Sequence, residues 1–144
     1  MGFSKASLRG VGLILGTIFL QGCGPDPRAR FVGEVEGMIE KANQGRHGDL
    51  EEVLSRPLVE KIRAEGWEPK AALRVAARRD REQSASYRFS DVPRFEAREY
   101  AEAEVIRKSG AGEKRFTVPF LWEDGKWKAG AAYRDGRAWE HEDF

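Results

Sequence analysis

Val118-Pro119-Phe120-Leu121-Trp122-Glu123-Asp124-Gly125-Lys126-Trp127-Lys128-Ala129-Gly130 is the stretch that decides the fold. Asp124-Gly125 suits the two positive φ angles of a type I′ turn, and apolar residues alternate on both sides, so it reads as a β-hairpin. With that loop, Glu123 faces Lys126, Trp122 faces Trp127, Phe120 faces Ala129, Val118 faces Ala131 and Phe116 faces Tyr133. The apolar residues of these pairs then share one face. Upstream, Ser109-Gly110-Ala111-Gly112 as a loop sets Val105 against Phe116, Ala103 against Val118 and Ala101 against Phe120, on that same face. A slip of one residue would turn either set outward, so the agreement of two registers specifies a three-stranded meander. Pro119, opposite Gly130, cannot donate to a ladder, which predicts a bend at that point. Ala85 to Phe89, with Tyr87 and Phe89 alternating, predicts one more strand.

Ahead of the strands the period is helical. Asp26 suits an N-cap with Pro27 in the first turn, and Phe31, Val35, Met38, Ile39 and Ala42 recur on one face until Gly45. Asp49 with Glu52 resembles a capping box before Val53 and Leu54. Ser55 and Pro57 then restart a helix, carrying Leu58 and Ile62, that Gly66 ends. A third helix follows Pro69, with Leu73, Ala76 and Ala77 inward. Its other face carries Arg74, Arg78, Arg79 and Arg81, interrupted by Asp80 and Glu82, and reads as a solvated face or as a contact for phospholipid or an anionic polymer. Helices first and an antiparallel sheet afterwards make an α+β domain, with the N-terminal helices packed on a bent sheet.

The N-terminus carries a different signal. Lys5 and Arg9 precede an apolar run from Val11 to Leu20, which Cys23-Gly24-Pro25-Asp26-Pro27 stops. Ten residues are too few to span about 30 Å of hydrocarbon, which takes roughly 20, so the run reads as an export signal. Leu20-Gln21-Gly22-Cys23 resembles the lipobox of bacterial lipoprotein precursors, with Gln21 departing from the usual small or aliphatic residue; the alternative is an ordinary signal peptide with a chance cysteine. The resemblance implies cleavage before Cys23, acylation of its thiol and new amine, and attachment to the bacterial cell envelope facing the periplasm. Gly24 after the cysteine favours the outer membrane of a Gram-negative cell under the sorting rule known for such proteins. The resulting division is 1–22 signal peptide, 23–27 lipidated linker, 28–136 domain and 137–144 acidic tail.

Loss of residues 1–22 leaves 23 of the 25 Lys and Arg against all 24 Asp and Glu. Near-neutrality argues against nucleic acid as partner, because binding phosphates needs a concentrated positive face. Roughly 120 mature residues hold one core. Cys23 is the sole cysteine, so no intrachain disulfide can staple the fold.

The order of elements, the long bent strands and the close Val118 to Lys128 resemble the nuclear transport factor 2-like superfamily, over roughly Arg28 to Tyr133. That resemblance implies a cone-shaped cystatin-like fold. It also implies a choice among binding proteins, isomerases or dehydratases, and assembly subunits that dimerise through the outer sheet face; the site must decide.

The chemical inventory is short. His47 and His141 read as surface histidines without a second ligand at metal spacing, no nucleophile elbow or phosphate loop occurs, and no cofactor is implied. Trp67, Tyr87, Phe116, Phe120, Trp122, Trp127 and Tyr133, with Phe89, form either core or the lining of a pocket for a small apolar ligand. Alanines at 101, 103, 129 and 131 leave space in the concavity for a helix or a ligand. The inward face, Ala101, Ala103, Val105, Phe116, Val118, Phe120, Trp122, Trp127, Ala129, Ala131 and Tyr133, holds no carboxylate, histidine or lysine. Glu102 and Glu104 alternate outward. General acid–base chemistry needs such a group within hydrogen-bond reach of substrate. The expectation is therefore a lipid-anchored, non-catalytic binding or accessory domain for a small apolar ligand or an envelope protein. An isomerase or dehydratase and a sheet-mediated homodimer are the alternatives.

Overall fold

The computed structural model describes residues 26–90 and 92–130, and the backbone of 133–134 and 137–138. Cys23, the rest of the export segment, Asp91, Ala131, the Tyr133 side chain and His141 lie outside the described residues. The chain is α+β: helices come first, then a curled antiparallel sheet that wraps around them as a half-barrel, consistent with the cone expected from the sequence.

Helix α1 (Pro27–Asn43) starts where Asp26 accepts a hydrogen bond from the Arg28 backbone N–H. It stops where Gly45 takes φ of +73°, a conformation that costs little only without a Cβ. A 3-10 helix (His47–Val53) follows. Asp49 and Glu52 form no capping box there: Asp49 pairs instead with Arg46, and the true cap is Ser55, whose Oγ accepts from the Leu58 N–H. Ser55 opens α2 (Arg56–Ala64), and α3 (Pro69–Glu82) completes the helical layer.

The strands are β1 (Ser86–Phe89), β2 (Arg94–Ala97), β3 (Tyr100–Ser109), β4 (Gly112–Glu123), β5 (Lys126–Ala129), β6 (Tyr133–Arg134) and β7 (Arg137–Ala138). β1 and β2 both pair with β3, β3 with β4, and β4 with β5 and then β6. The opening hairpin has the expected register, with Trp122 against Trp127 and Phe120 against Ala129, and Asp124 and Gly125 have φ of 54° and 76°. Val105, Ala103 and Ala101 pair with Phe116, Val118 and Phe120, as the second register requires.

One pairing differs. Tyr133 stands opposite Thr117, not Phe116, so the strand after β5 holds one residue more than its partner. The cause lies at Pro119, which has no N–H to continue the ladder. The Gly130 N–H instead donates to the Pro119 carbonyl at 2.7 Å, and a Cβ on Gly130 would come within 3.0 Å of Pro119. The expected bend is a one-residue bulge that resets the register beyond it. β7 places Arg137 and Ala138, the first residues of the expected tail, against β6.

Phe31 of α1 fills the concavity and is fully buried. Its ring meets Trp127 at 5.0 Å, Phe95 and Phe120 at 5.3 Å and Phe89 at 6.4 Å, all edge-on, the geometry that opposes ring edge to ring face. Trp127 is also fully buried, and its Nε1–H donates to the Pro27 carbonyl at 2.7 Å, which ties the start of α1 to the last hairpin.

Candidate functional site

The aromatic residues proposed to line a pocket are distributed through the fold. Phe120 and Trp127 are core around Phe31, and Phe116 is buried on the same sheet face. Trp122 lies half-buried at the rim, 5.5 Å from Trp127. Trp67 lies half-buried in the link between α2 and α3, and Tyr87 is half-buried on β1. Of these, Tyr87 joins a cluster of ionisable side chains.

That chemistry centres on Asp80, which the helical pattern placed on a solvated arginine face and which is 7 % exposed. His47, expected at the surface, is 4 % exposed and contacts it. Both expectations are corrected, for a common reason. The turn at Gly45 leads the chain into the 3-10 helix beneath α3, while β3 carries Arg107 to the same place. Asp80 Oδ1 accepts from Arg107 Nε at 3.1 Å and Nη2 at 2.8 Å. Asp80 Oδ2 accepts from the Tyr87 hydroxyl and from His47 Nε2, each at 2.7 Å. Arg107 Nη2 also donates to Gln83 Oε1 at 2.7 Å, and Asn43 exchanges two hydrogen bonds with the Tyr87 backbone. Four elements thus meet on one carboxylate.

Burial alone would raise the Asp80 pKa. The hydrogen bonds from His47, Tyr87 and Arg107 and the guanidinium charge outweigh it and hold the carboxyl below its ordinary value. The same site pushes the Tyr87 hydroxyl well above its ordinary value, first by burial and then by the Asp80 charge beside it. Arg107 is raised too: burial works against its charge, and its hydrogen bonds to Asp80 and Tyr87 more than compensate. An ionised Asp80 only accepts, so His47 Nε2 carries the proton. His47 Nδ1 is buried with no hydrogen-bond partner among the described residues.

Chemically, the network is an ion pair with every Asp80 oxygen occupied. It can fix α3 and the 3-10 helix to β1 and β3. A base would need a polar atom left over to face substrate, and His47 Nδ1, without a hydrogen-bond partner among the described residues, is the candidate. Beside it in the chain, an open surface recess is lined by Lys41, Arg46, Gly48, Asp49, Glu51 and Glu52, with both charge signs and no aromatic ring.

Glu102 and Glu104 lie on the outer sheet face as expected. Glu102 pairs with Arg94, and Glu104 accepts from Ser90 Oγ at 2.5 Å and Arg115 at 2.9 Å. No three His, Cys, Asp or Glu among the described residues are grouped to hold a metal ion, and none of their helices is long and apolar enough to cross a membrane.

Arg107 was legible after all: it continues the inward alternation Ala101, Ala103, Val105 by one more step. No comparable signal marks His47 or Asp80, since their burial depends on how the helices pack. The chain matches no protein-family model and no curated protein.

Proposed function

We propose that the mature chain is a lipid-anchored extracytoplasmic accessory protein, tethered through Cys23 to the bacterial envelope and acting through its surface on a protein partner. The observation that carries this reading is the filled concavity: Phe31, ringed by Phe89, Phe95, Phe120 and Trp127, occupies the space a small apolar ligand would need. A ligand there would have to displace a fully buried ring, and losing such packing costs on the order of 3–5 kcal/mol. The outer sheet face offers little to a sheet-mediated homodimer, because Arg94–Glu102, Arg115–Glu104 and Arg88–Glu113 ion pairs lie across it where an assembly surface would be apolar.

The test is purification of the lipidated protein from its own membrane after in-cell crosslinking, with mass spectrometry of co-purifying proteins and lipids. A reproducible protein crosslink supports the reading. An apolar small molecule at one per chain would overturn it. In parallel, Cys23→Ala should abolish incorporation of a fatty-acid probe, and equal labelling of both forms would remove the anchor.

An acid–base enzyme is the second reading, favoured by the buried His47 Nδ1, which has no hydrogen-bond partner among the described residues. Against it stands the saturation of Asp80 by four donor contacts, which suits a structural ion pair better than a base in a working site.

A further inference from the structure

We infer that the end of the domain formed by the first turn of α1 and the β2–β3 and β4–β5 turns lies in the phospholipid headgroup layer, with the His47–Asp80 end directed away from the membrane. The inference rests on the Cys23 anchor proposed above and adds the surface that meets the lipid.

The length of the tether carries it. Asp26 caps α1, Pro27 is buried, and the Pro27 carbonyl is held by Trp127 Nε1, so the chain is fixed to the domain at residues 26 and 27. Cys23 lies three residues earlier. Three fully extended residues reach at most roughly 10–11 Å. Acyl chains start at the edge of the hydrocarbon, and the headgroup layer is about 5–8 Å deep per leaflet. The slack beyond the headgroups is therefore only a few ångströms, whatever path the tether takes.

The chemistry at that end fits the location. The Arg28 guanidinium sits 5.1 Å over the Phe95 ring, and Arg30 sits 5.7 Å over the Trp122 ring while donating to the Gly125 carbonyl. Val32, a turn further on, is 43 % exposed, one of the few large apolar side chains among the described residues that face solvent. Arg30 is also paired within the domain to Glu34 at 2.7 Å, so the cation offered to phosphates here is Arg28, while the half-buried Phe95 and Trp122 rings suit the glycerol level where aromatic rings and long basic side chains are favoured in a bilayer.

The opposite end is far away. Strand β3 has ten residues and rises about 3.3 Å per residue, which puts the β3–β4 turn at Gly110 and Ala111 roughly 30 Å from the β2–β3 turn at Arg98 and Glu99. The Asp80 network and the recess by Arg46 and Glu52 share that distant end, since Arg107 and Asn43 both belong to it. A protein partner arriving from the aqueous side meets this end first.

The experiment uses the processed, lipidated chain carrying Arg98→Cys, Lys126→Cys or Ala111→Cys, all exposed and at or beside a turn. With Cys23 acylated, the new thiol is the only free one and takes a fluorophore. Each variant is reconstituted into phosphatidylethanolamine–phosphatidylglycerol vesicles containing a lipid spin-labelled at its headgroup. The expected result is quenching several-fold stronger at positions 98 and 126 than at 111. Equal quenching at all three, or strongest quenching at 111, would overturn the orientation while leaving the anchor intact. Protein that neither incorporates a fatty-acid probe nor stays with the vesicles would show that the anchor itself is absent, and the orientation would fall with it.

Discussion

Removing the Asp80 carboxylate should be the most damaging single change to a polar side chain in this domain. Asp80→Ala leaves Arg107, whose side chain is 8 % exposed, as a buried cation without its counter-ion, and strands His47 Nε2 and the Tyr87 hydroxyl without acceptors. Breaking a buried pair from one side costs about 3–5 kcal/mol, because the surviving charge keeps its desolvation penalty and loses its compensation. In a domain of this size each kcal/mol moves the melting temperature by about 4–5 °C, so the midpoint should fall by roughly 12–25 °C. The assay is thermal unfolding of the detergent-solubilised full chain, followed by far-ultraviolet circular dichroism and by tryptophan fluorescence. Arg107→Met should cost a comparable amount by leaving Asp80 unpaired. The double variant should cost clearly less than the two together, with a coupling of about 1–3 kcal/mol, since it buries no lone charge. A loss below about 1 kcal/mol for Asp80→Ala, or strict additivity in the double variant, would refute the claim that this carboxylate holds four elements together.

The pH dependence follows from the same site: the depressed Asp80 pKa contributes stability that is complete above the ordinary Asp value and lost as pH falls through the depressed one. Tyr87 is raised, so its contribution is complete below the ordinary tyrosine value near 10 and lost as pH climbs above it; these two groups should therefore lower the melting temperature at both pH extremes, and Tyr87→Phe should blunt the alkaline limb. Trp127→Ala should destabilise by about 3–5 kcal/mol, because it empties a fully buried site against Phe31 and frees the Pro27 carbonyl, as denaturant titration would measure. Gly130→Ala forces a methyl group to within 3.0 Å of the Pro119 ring and carbonyl and should cost about 1–3 kcal/mol by the same titration, whereas Gly48→Ala, with open space around it, should be nearly silent.

What could be read in advance depended on whether it was local. The turn at Asp124-Gly125 and the alternation on each side specify register by themselves, and the six strand pairings written from sequence that the structure shows all lie on hairpins whose partners are fixed by the intervening turn. The bend at Pro119 was legible for the same reason, since a missing N–H is a property of one residue. Its consequence, the shift of Tyr133 to Thr117, was not, because the sequence does not say on which strand the extra residue will fall. Asp80 shows the other limit. On α3 it sits between Arg79 and Arg81, and a helical wheel assigns it to the charged side. It becomes interior because the 3-10 helix slides beneath α3 and supplies His47, a tertiary event with no periodic signature.

The position of the network explains why a domain with no disulfide can afford so small a core. Phe31 and Val35 hold α1 against the sheet at the rim and middle, where the rings are. Beyond Val105 the inner face turns polar at Arg107, and apolar packing can no longer attach α3. An Arg–Asp pair shielded from water takes over there, supported by His47, Tyr87 and Gln83. Unlike apolar packing, it specifies one arrangement, because each donor must find its own lone pair on Asp80. The cone is thus closed by shape at the rim and by charge at its far end. A partner that binds beside Arg46 and Asp49 would contact elements that this single carboxylate holds together.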